Sequence, residues 1–223
     1  GITSDEYHEQ KNWLVNLSAI KEFIYTGKYE SFLDYWDRYH GVAFQLISQP
    51  IQFLIKDFVA NINNVTDYGG LLISKHFGVF FYFILLKITK DENISLLSTS
   101  IYLLYPYLFG HAHFNPKDIP FLSFWLITTY LSLKIFENLY NENNIEIRNL
   151  ILFSLITAFL ISIRVVGTLI FIQFFISLLI FLEKKKISFY LFLKKNYKNI
   201  CVFGFTFFIF LIILNPIFWH NPI

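Results

Sequence analysis

Two acidic residues stand side by side near the beginning of this sequence. Asp5 and Glu6 are adjacent, and His8 follows two positions later. Neighbouring carboxylates repel each other, so one of them is expected to hold a proton more tightly than an isolated acid does. Such a group suits a general base that removes the proton from a reacting hydroxyl. A helix that begins at Ser4, with the acids favoured by its dipole, accounts for the same residues without any chemistry.

A second polar group separates two strongly apolar runs. The stretch GHAHFNPKD, residues 110–118, holds His111, His113, Asn115, Lys117 and Asp118. Proline restricts the residue before it to extended geometry, which predicts a structured turn here instead of a continuous helix. Lys117 can bind a phosphate as a compact charge, and Asp118 can cap a following helix. The histidines can offer two ligands to a divalent metal, but nothing fixes a third, so no metal site is predicted.

Charged residues also lie inside or beside other apolar runs. Arg164 lies between LITAFLISI and VVGTLIFIQFF, where a charge costs at least ~2.5 kcal/mol at the membrane centre. Its side chain therefore reaches the membrane surface, pairs with an acid or binds an anion. Lys75 and His76 begin an earlier apolar run, and they either extend to the surface or offer further phosphate contacts.

The chain that must position these residues has the composition of an integral membrane protein. Of its 223 residues, 55% are hydrophobic and 15% are charged, against roughly a quarter charged in a soluble domain. The apolar residues are concentrated near 71–89, 94–109, 119–137, 149–163, 165–182 and 200–214. Since about 20 apolar residues cross the hydrocarbon layer, residues 71–223 are predicted to form an all-α, polytopic transmembrane bundle of about six spans.

Residues 1–70 are predicted to form a separate domain outside the membrane core, because polar and apolar residues alternate there with helical spacing. The apolar stripes are Trp13, Leu17, Ile20 and Ile24 in a first helix, and Ile47, Ile51 and Leu54 in a second. These amphipathic helices either lie on the membrane surface or pack on the bundle. The sequence has no methionine and opens within a loop, so we expect it to be part of a longer protein whose first span is missing.

Basic residues predict how the chain is oriented. Lys87, Lys90, Arg148 and the stretches EKKK (183–186) and KKNYK (194–198) follow alternate apolar runs. The positive-inside rule places them in the cytoplasm. Residues 1–70, the 110–118 turn and Arg164 then share the periplasmic or lumenal face of a multi-pass protein. One cysteine and no glycine-rich phosphate loop argue against disulfides and a nucleotide site.

With these residues assembled, the chain resembles the GT-C membrane glycosyltransferases. The most similar group is that of the dolichyl-phosphate-mannose–protein mannosyltransferases and their bacterial homologues. The resemblance rests on GITSDE at an outer loop, FGHAHFNPKDIPF before a span and IRVVG between spans. It covers most of the chain in order, but only the amino-terminal half of such an enzyme.

The resemblance implies an inverting transfer of a sugar from a polyprenyl phosphate to a protein hydroxyl on the non-cytoplasmic face. Asp5 would be the base, with Glu6 supporting or replacing it. Lys117 and Arg164 would hold the departing phosphate. The other implied donor or sugar contacts are His111, His113, Asn115, Asp118, Lys75 and His76. The implied partners are the lipid-linked donor, a protein or glycolipid acceptor and membrane lipids, with no nucleic acid and no required cofactor.

Other functions fit the same sequence pattern. The same fold can transfer a sugar to lipid A or another envelope glycan. A transporter or channel would place Asp5 and Arg164 on an ion path, and a structural membrane subunit would need none of the polar residues. A transferase is expected to bring Asp5, Lys117 and Arg164 to one outer cavity, whereas a transporter would spread its charges through the depth of the membrane.

Overall fold

A computed structural model describes residues 4–28, 30–39, 41–56, 79–111, 117–141 and 145–220. Within these residues every regular element is a helix, as the composition predicts. The helices are α1 (Ser4–Thr26), α2 (Glu30–Leu33), α3 (Ala43–Lys56), α4 (Val79–Thr89), α5 (Glu92–Leu104), α6 (Pro106–His111), α7 (Asp118–Asn141), α8 (Ile147–Ile163), α9 (Leu169–Lys185), α10 (Phe189–Leu214) and α11 (Ile217–His220). A 3-10 turn, Val165–Thr168, joins α8 to α9.

Three described segments are long and apolar enough to cross a membrane: Asp118–Asn141, Val165–Lys185 and Phe189–Leu214. Val79–Thr89 and Ile147–Ile163 are shorter apolar helices. The predicted span at 94–109 is wrong as a single helix, because α5 ends before Tyr105 and α6 begins at Pro106. Proline lacks the N–H that would continue a helix and clashes with the preceding turn. The predicted domain boundary at residue 70 lies outside the described residues.

The basic stretches predicted as a connecting loop are largely helical. Helix α9 continues through Lys185, and Lys186 turns the chain with a φ of 54°. Helix α10 begins at Phe189, so KKNYK at 194–198 belongs to its early turns. Lysine side chains can extend along a helix to the membrane surface while their stems pack on apolar residues. A helix that crosses lipid can therefore begin with a basic segment.

Helices α7 to α10 form the central bundle. Phe124 of α7 stacks on Phe159 of α8, with ring centroids 4.6 Å apart. Trp125 of α7 donates its indole N–H to Gln173 of α9 over 3.1 Å. Successive helices run in opposite directions, so the start of α7 and the ends of α8 and α10 lie together. We call this the outer end of the bundle, after its predicted orientation, and the opposite one the inner end.

The outer end is covered by the amino-terminal helices. Gly41 lies against the backbone of α8, where an added Cβ would fall 1.5 Å from the carbonyl oxygen of Ser162. Only glycine permits so close an approach. Phe23 of α1 packs on Trp219 of α11, with ring centroids 5.5 Å apart. The amino-terminal segment therefore packs on the bundle, which is one of the two arrangements predicted from its sequence.

The buried faces of α1 and α3 differ from the predicted apolar stripes. On α1 the buried positions are Glu9, Asn12, Asn16 and Ala19, whereas Ile24 is 70% exposed. On α3 the buried positions are Ala43, Phe44, Gln45 and Ser48, whereas Ile47 is 37% exposed. Both helices thus turn polar side chains inward. Glu9 and Asn12 of α1 meet Lys117 and Asp37, and Gln45 of α3 meets Glu9.

Candidate functional site

An ion pair links α1 to the start of α7. The ammonium of Lys117 lies 3.0 Å from the Oε1 atom of Glu9, and only 15% and 11% of these side chains are exposed. Burial of a charge is costly unless it is paired and hydrogen-bonded. The pair therefore fixes the turn before α7 against the middle of the first half of α1.

Helix α3 holds the other oxygen of the same carboxylate. The Gln45 side-chain amide donates to Oε2 of Glu9 over 3.1 Å. Both oxygens of Glu9 thus accept a contact, one from α3 and one from the residue preceding α7. Such double contact holds its side chain in one orientation.

The buried amide of Asn12 extends this network toward the segment after α2. Its Nδ2 donates to Asp37 over 2.7 Å, and its Oδ1 accepts the hydroxyl hydrogen of Tyr35. One turn later, the amide of Asn16 donates to the backbone carbonyl of Asn12 over 2.9 Å. Because Asn12 and Asn16 are each only 1% exposed, these bonds are needed to offset the loss of water.

A second ion pair lies at the same end of the bundle. Arg164 Nη2 is 2.6 Å from Oδ1 of Asp118, and these side chains remain 44% and 45% exposed. Arg164 itself has extended backbone between α8 and the 3-10 turn. Gly167 allows that turn to fold back, because a Cβ there would already lie 3.0 Å from the carbonyl of Leu160. The guanidinium thereby leaves the apolar helices and reaches the end of the bundle.

The electrostatics show that the two ion pairs belong to one cluster. Burial lowers the pKa of Lys117, and the positive charge of Arg164 lowers it further. The negative charges of Glu9 and Asp37 act in the opposite direction on that pKa. Burial also raises the pKa of Tyr35, and the same two acids raise it further. Charges of α1, of the segment after α2 and of the end of α8 therefore all act on the residue that precedes α7.

This arrangement is suited to receiving an anion. Arg164 presents planar N–H donors that match a phosphate, and its half-exposed partner Asp118 can be replaced by an incoming group. Lys117 supplies a second cation that is more deeply enclosed. Asp118 is the first residue of α7, where backbone N–H groups and the helix dipole also favour negative charge. Two cations and a helix start thus face the same small region.

Several predicted site residues cannot be placed with their side chains. Lys75, His76, His113 and Asn115 lie outside the described residues, and only the helical backbone is described at Asp5, Glu6 and His111. Asp5 occupies the first turn of α1, four positions before Glu9. Positions four apart share one face of a helix. The position of Asp5 therefore lies on the same stripe as Glu9, one turn nearer the amino terminus.

The sequence reasoning missed the carboxylates and amides that hold the cluster together. These are Glu9, Asn12, Asp37 and Gln45. A signal was present, because Asp5, Glu9, Asn12, Asn16 and Ala19 follow the four-three spacing of a helix face. The prediction followed the apolar stripe of the same helix instead. A polar stripe with that spacing indicates a helix that buries charged partners.

Among the described residues no group of three or more His, Cys, Asp or Glu side chains can hold a metal ion. Comparison with protein-family models, with curated proteins and with solved structures gave no match to the chain.

Proposed function

We propose that the protein is a membrane glycosyltransferase that moves a sugar from a polyprenyl-phosphate donor to a hydroxyl acceptor at the outer end of the bundle. The observation that carries the proposal is that Lys117 and Arg164, which lie 47 positions apart in sequence, belong to one charged cluster with Glu9 of α1 and Asp118. A lipid-linked phosphate lies at the membrane border, where such cations would meet it.

The reaction needs a leaving group that gains negative charge. As the bond between the anomeric carbon and the phosphate oxygen breaks, the polyprenyl phosphate departs with the bonding electrons. Cations held at that oxygen stabilise the transition state more than the ground state, which accelerates the step. Arg164 would hold the phosphate with paired N–H donors, and Lys117 would neutralise it from the enclosed side.

The acceptor needs a base. In the proposed reaction its hydroxyl oxygen attacks the anomeric carbon from the face opposite the phosphate, and the hydroxyl proton passes to a carboxylate. Asp5 is the proposed base, with Glu6 supporting or replacing it, because position 5 continues the stripe of Glu9. Glu9 itself is a positioning residue, since Lys117 and Gln45 already occupy both of its oxygens.

Clustering of the charges at one end favours this function over a transporter. Lys117, Asp118 and Arg164 lie at helix ends and not along the middle of the long apolar helices. Ion paths through a membrane place such groups at intermediate depth. The proposed acceptor is a protein hydroxyl, and lipid A or another envelope glycan is the alternative.

The test supplies a labelled polyprenyl-phosphate sugar to membranes that contain the full-length protein. Label should appear in the protein fraction for a protein acceptor and in the glycolipid fraction for an envelope glycan. Asp5→Asn should abolish transfer while donor binding is unchanged. Asp34→Asn, which makes the same change at an exposed acid of the amino-terminal segment, is the matched control. Transfer at the wild-type rate in Asp5→Asn would remove that residue from the mechanism.

A further inference from the structure

An apolar cavity of about 540 Å³ is lined by residues of α7 to α10. Its volume falls within the roughly 300–1,000 Å³ range of small-molecule sites. The floor is formed by buried or partly buried rings and aliphatic side chains of α8, α9 and α10, among them Phe153, Phe174, Leu178, Phe192 and Phe203. The cavity reaches the inner end, because Ile145 and Phe189 also line it.

The cavity opens between α9 and α10 toward the surface that would face lipid. Ile172, Phe175 and Leu193 line it and are 56%, 48% and 38% exposed. The two helices are bridged across the gap by ring edges, as between Phe175 and Phe189, whose centroids are 6.1 Å apart. Because side chains and not backbone close the gap, a hydrocarbon chain that moves these rings aside can enter between the two helices without disturbing their backbones.

Two lysines lie next to the residues that line the cavity, one at the end of α9 and one along α10. Lys185 follows Leu178 by seven positions, which places it two turns further along the same face of α9. Its ammonium lies 3.5 Å from the ring centroid of Tyr140, at the end of α7. On α10, Lys195 lies three positions after Phe192 and four before Asn199, and both of those residues line the cavity. Cationic groups of α9 and α10 thus flank an apolar chamber.

We propose that this cavity is a binding site for an anionic glycerophospholipid. One acyl chain would fill the chamber between α9 and α10, and the phosphate headgroup would lie between Lys185 and Lys195. The charge pattern selects this occupant, because basic pockets between membrane helices at the cytoplasmic side bind anionic headgroups. A neutral lipid would fill the same chamber but would leave both lysines without an anionic partner.

The test uses the full chain, stripped of lipid in detergent and then given phosphatidylglycerol or phosphatidylcholine with identical acyl chains. Native mass spectrometry should show at least about tenfold preference for phosphatidylglycerol. Two lysines close to an anionic headgroup together favour its binding by at least about that factor. Lys185→Gln with Lys195→Gln should abolish the preference. Lys184→Gln with Lys194→Gln removes the same charge from other faces of α9 and α10, and it should preserve the preference.

A second variant tests the acyl chain separately. Ile200 lines the cavity and is 42% exposed, so Ile200→Trp can fill the mouth without disrupting a buried core. It should weaken binding of both lipids. Any one of three results would overturn the assignment. The first is an equal loss of preference in the two lysine double variants, and the second is unchanged lipid binding in Ile200→Trp. The third is displacement of phosphatidylglycerol by an equimolar polyprenyl phosphate. The outcome is independent of sugar transfer, because the lining of the cavity contains none of Glu9, Lys117, Asp118 and Arg164.

Discussion

The ammonium of Lys117 and the carboxylate of Glu9 lie 3.0 Å apart, and both side chains are largely buried. This contact joins two parts of the chain that are 108 positions apart in sequence, at the border of a long apolar helix. It makes the position of Lys117 depend on α1, and the position of α1 depend on the turn before α7. The donor-binding and acceptor-activating parts of the proposed site are therefore coupled through one ion pair.

Removing the charge of Glu9 is expected to destabilise the fold. In Glu9→Gln, Arg164 still repels the enclosed ammonium of Lys117, but the carboxylate that attracts this ammonium is gone. Loss of one partner of a buried pair costs about 2–3 kcal/mol. Thermal unfolding of the detergent-solubilised protein measures the loss. Glu22→Gln, the same change further along α1, should shift the unfolding temperature much less, and equal shifts would contradict the structural role of the pair.

Arg164 is expected to matter for transfer and little for stability. Its pair with Asp118 is almost half exposed, and pairs of that kind contribute at most about 1 kcal/mol. A donor on a transition-state anion is worth about 10²-fold in rate. Arg164→Gln should therefore reduce transfer about 10²-fold with a nearly unchanged unfolding temperature. Arg148→Gln, at an exposed arginine of the inner end, should leave both quantities unchanged; a similar rate loss there would remove the specific role of Arg164.

Gly41 is expected to tolerate no side chain. A Cβ at this position would lie 1.5 Å from the Ser162 carbonyl oxygen, and backbone atoms cannot move aside cheaply. Overpacking of this kind costs about 1–3 kcal/mol, so Gly41→Ala should lower the unfolding temperature. Gly204→Ala is the matched control, because no atom lies within 4 Å of its added Cβ and alanine is favoured in a helix by up to about 1 kcal/mol. The opposite ranking would contradict the close approach.

The pH dependence of transfer should show the shifted lysine. Burial, reinforced by Arg164, lowers the pKa of Lys117 below its usual 10.5, so its positive charge is lost at a lower pH than for an ordinary lysine. The alkaline decline of kcat/KM, which follows the free enzyme, should begin below pH 10.5 in the wild type. Lys117→Arg keeps its charge and should move that decline to higher pH. An identical decline in both proteins would assign it to another group.

The same shift gives the sign of the stability change with pH. The unfolded chain binds the Lys117 proton more tightly than the folded chain does, because the folded pKa is lowered. The cost of enclosing the charge is therefore present at lower pH, and it is relieved as the pH rises through the lowered pKa toward 10.5. The stability of the wild type relative to Lys117→Gln should increase over that window. A flat difference would show that the lysine is not enclosed.

The sequence predicted a helical membrane protein. It also predicted that Lys117, Asp118 and Arg164 lie at the same end of the bundle. Those residues could be found because each is a charge next to a long apolar run, where its position along the membrane normal is strongly constrained. The break at Arg164 is a local feature, and the structure places the end of α8 there, whereas the predicted turn at Pro116 lies outside the described residues. Hydropathy alone was sufficient for these elements.

The partners of the cations could not be found in the same way. Glu9 and Gln45 lie on helices whose orientation depends on tertiary packing, and the apolar stripes of those helices misidentified the buried face. The basic start of α10 was also misread, because hydropathy treats a lysine-rich turn as a loop although its side chains can extend to the surface. Contacts between segments far apart in sequence decide the orientation of Glu9 and Gln45.

The central claim is that Lys117 and Arg164 together form a site for a lipid-linked phosphate. The most direct measurement is the binding of a short-chain polyprenyl phosphate to the full-length protein, compared among the wild type, Lys117→Gln, Arg164→Gln and the control Arg148→Gln. Loss of one hydrogen bond to a charged group costs about 1.5–3 kcal/mol, so each site variant should bind at least about tenfold more weakly, and the control should bind as the wild type does. Equal affinity in all four proteins would contradict the claim.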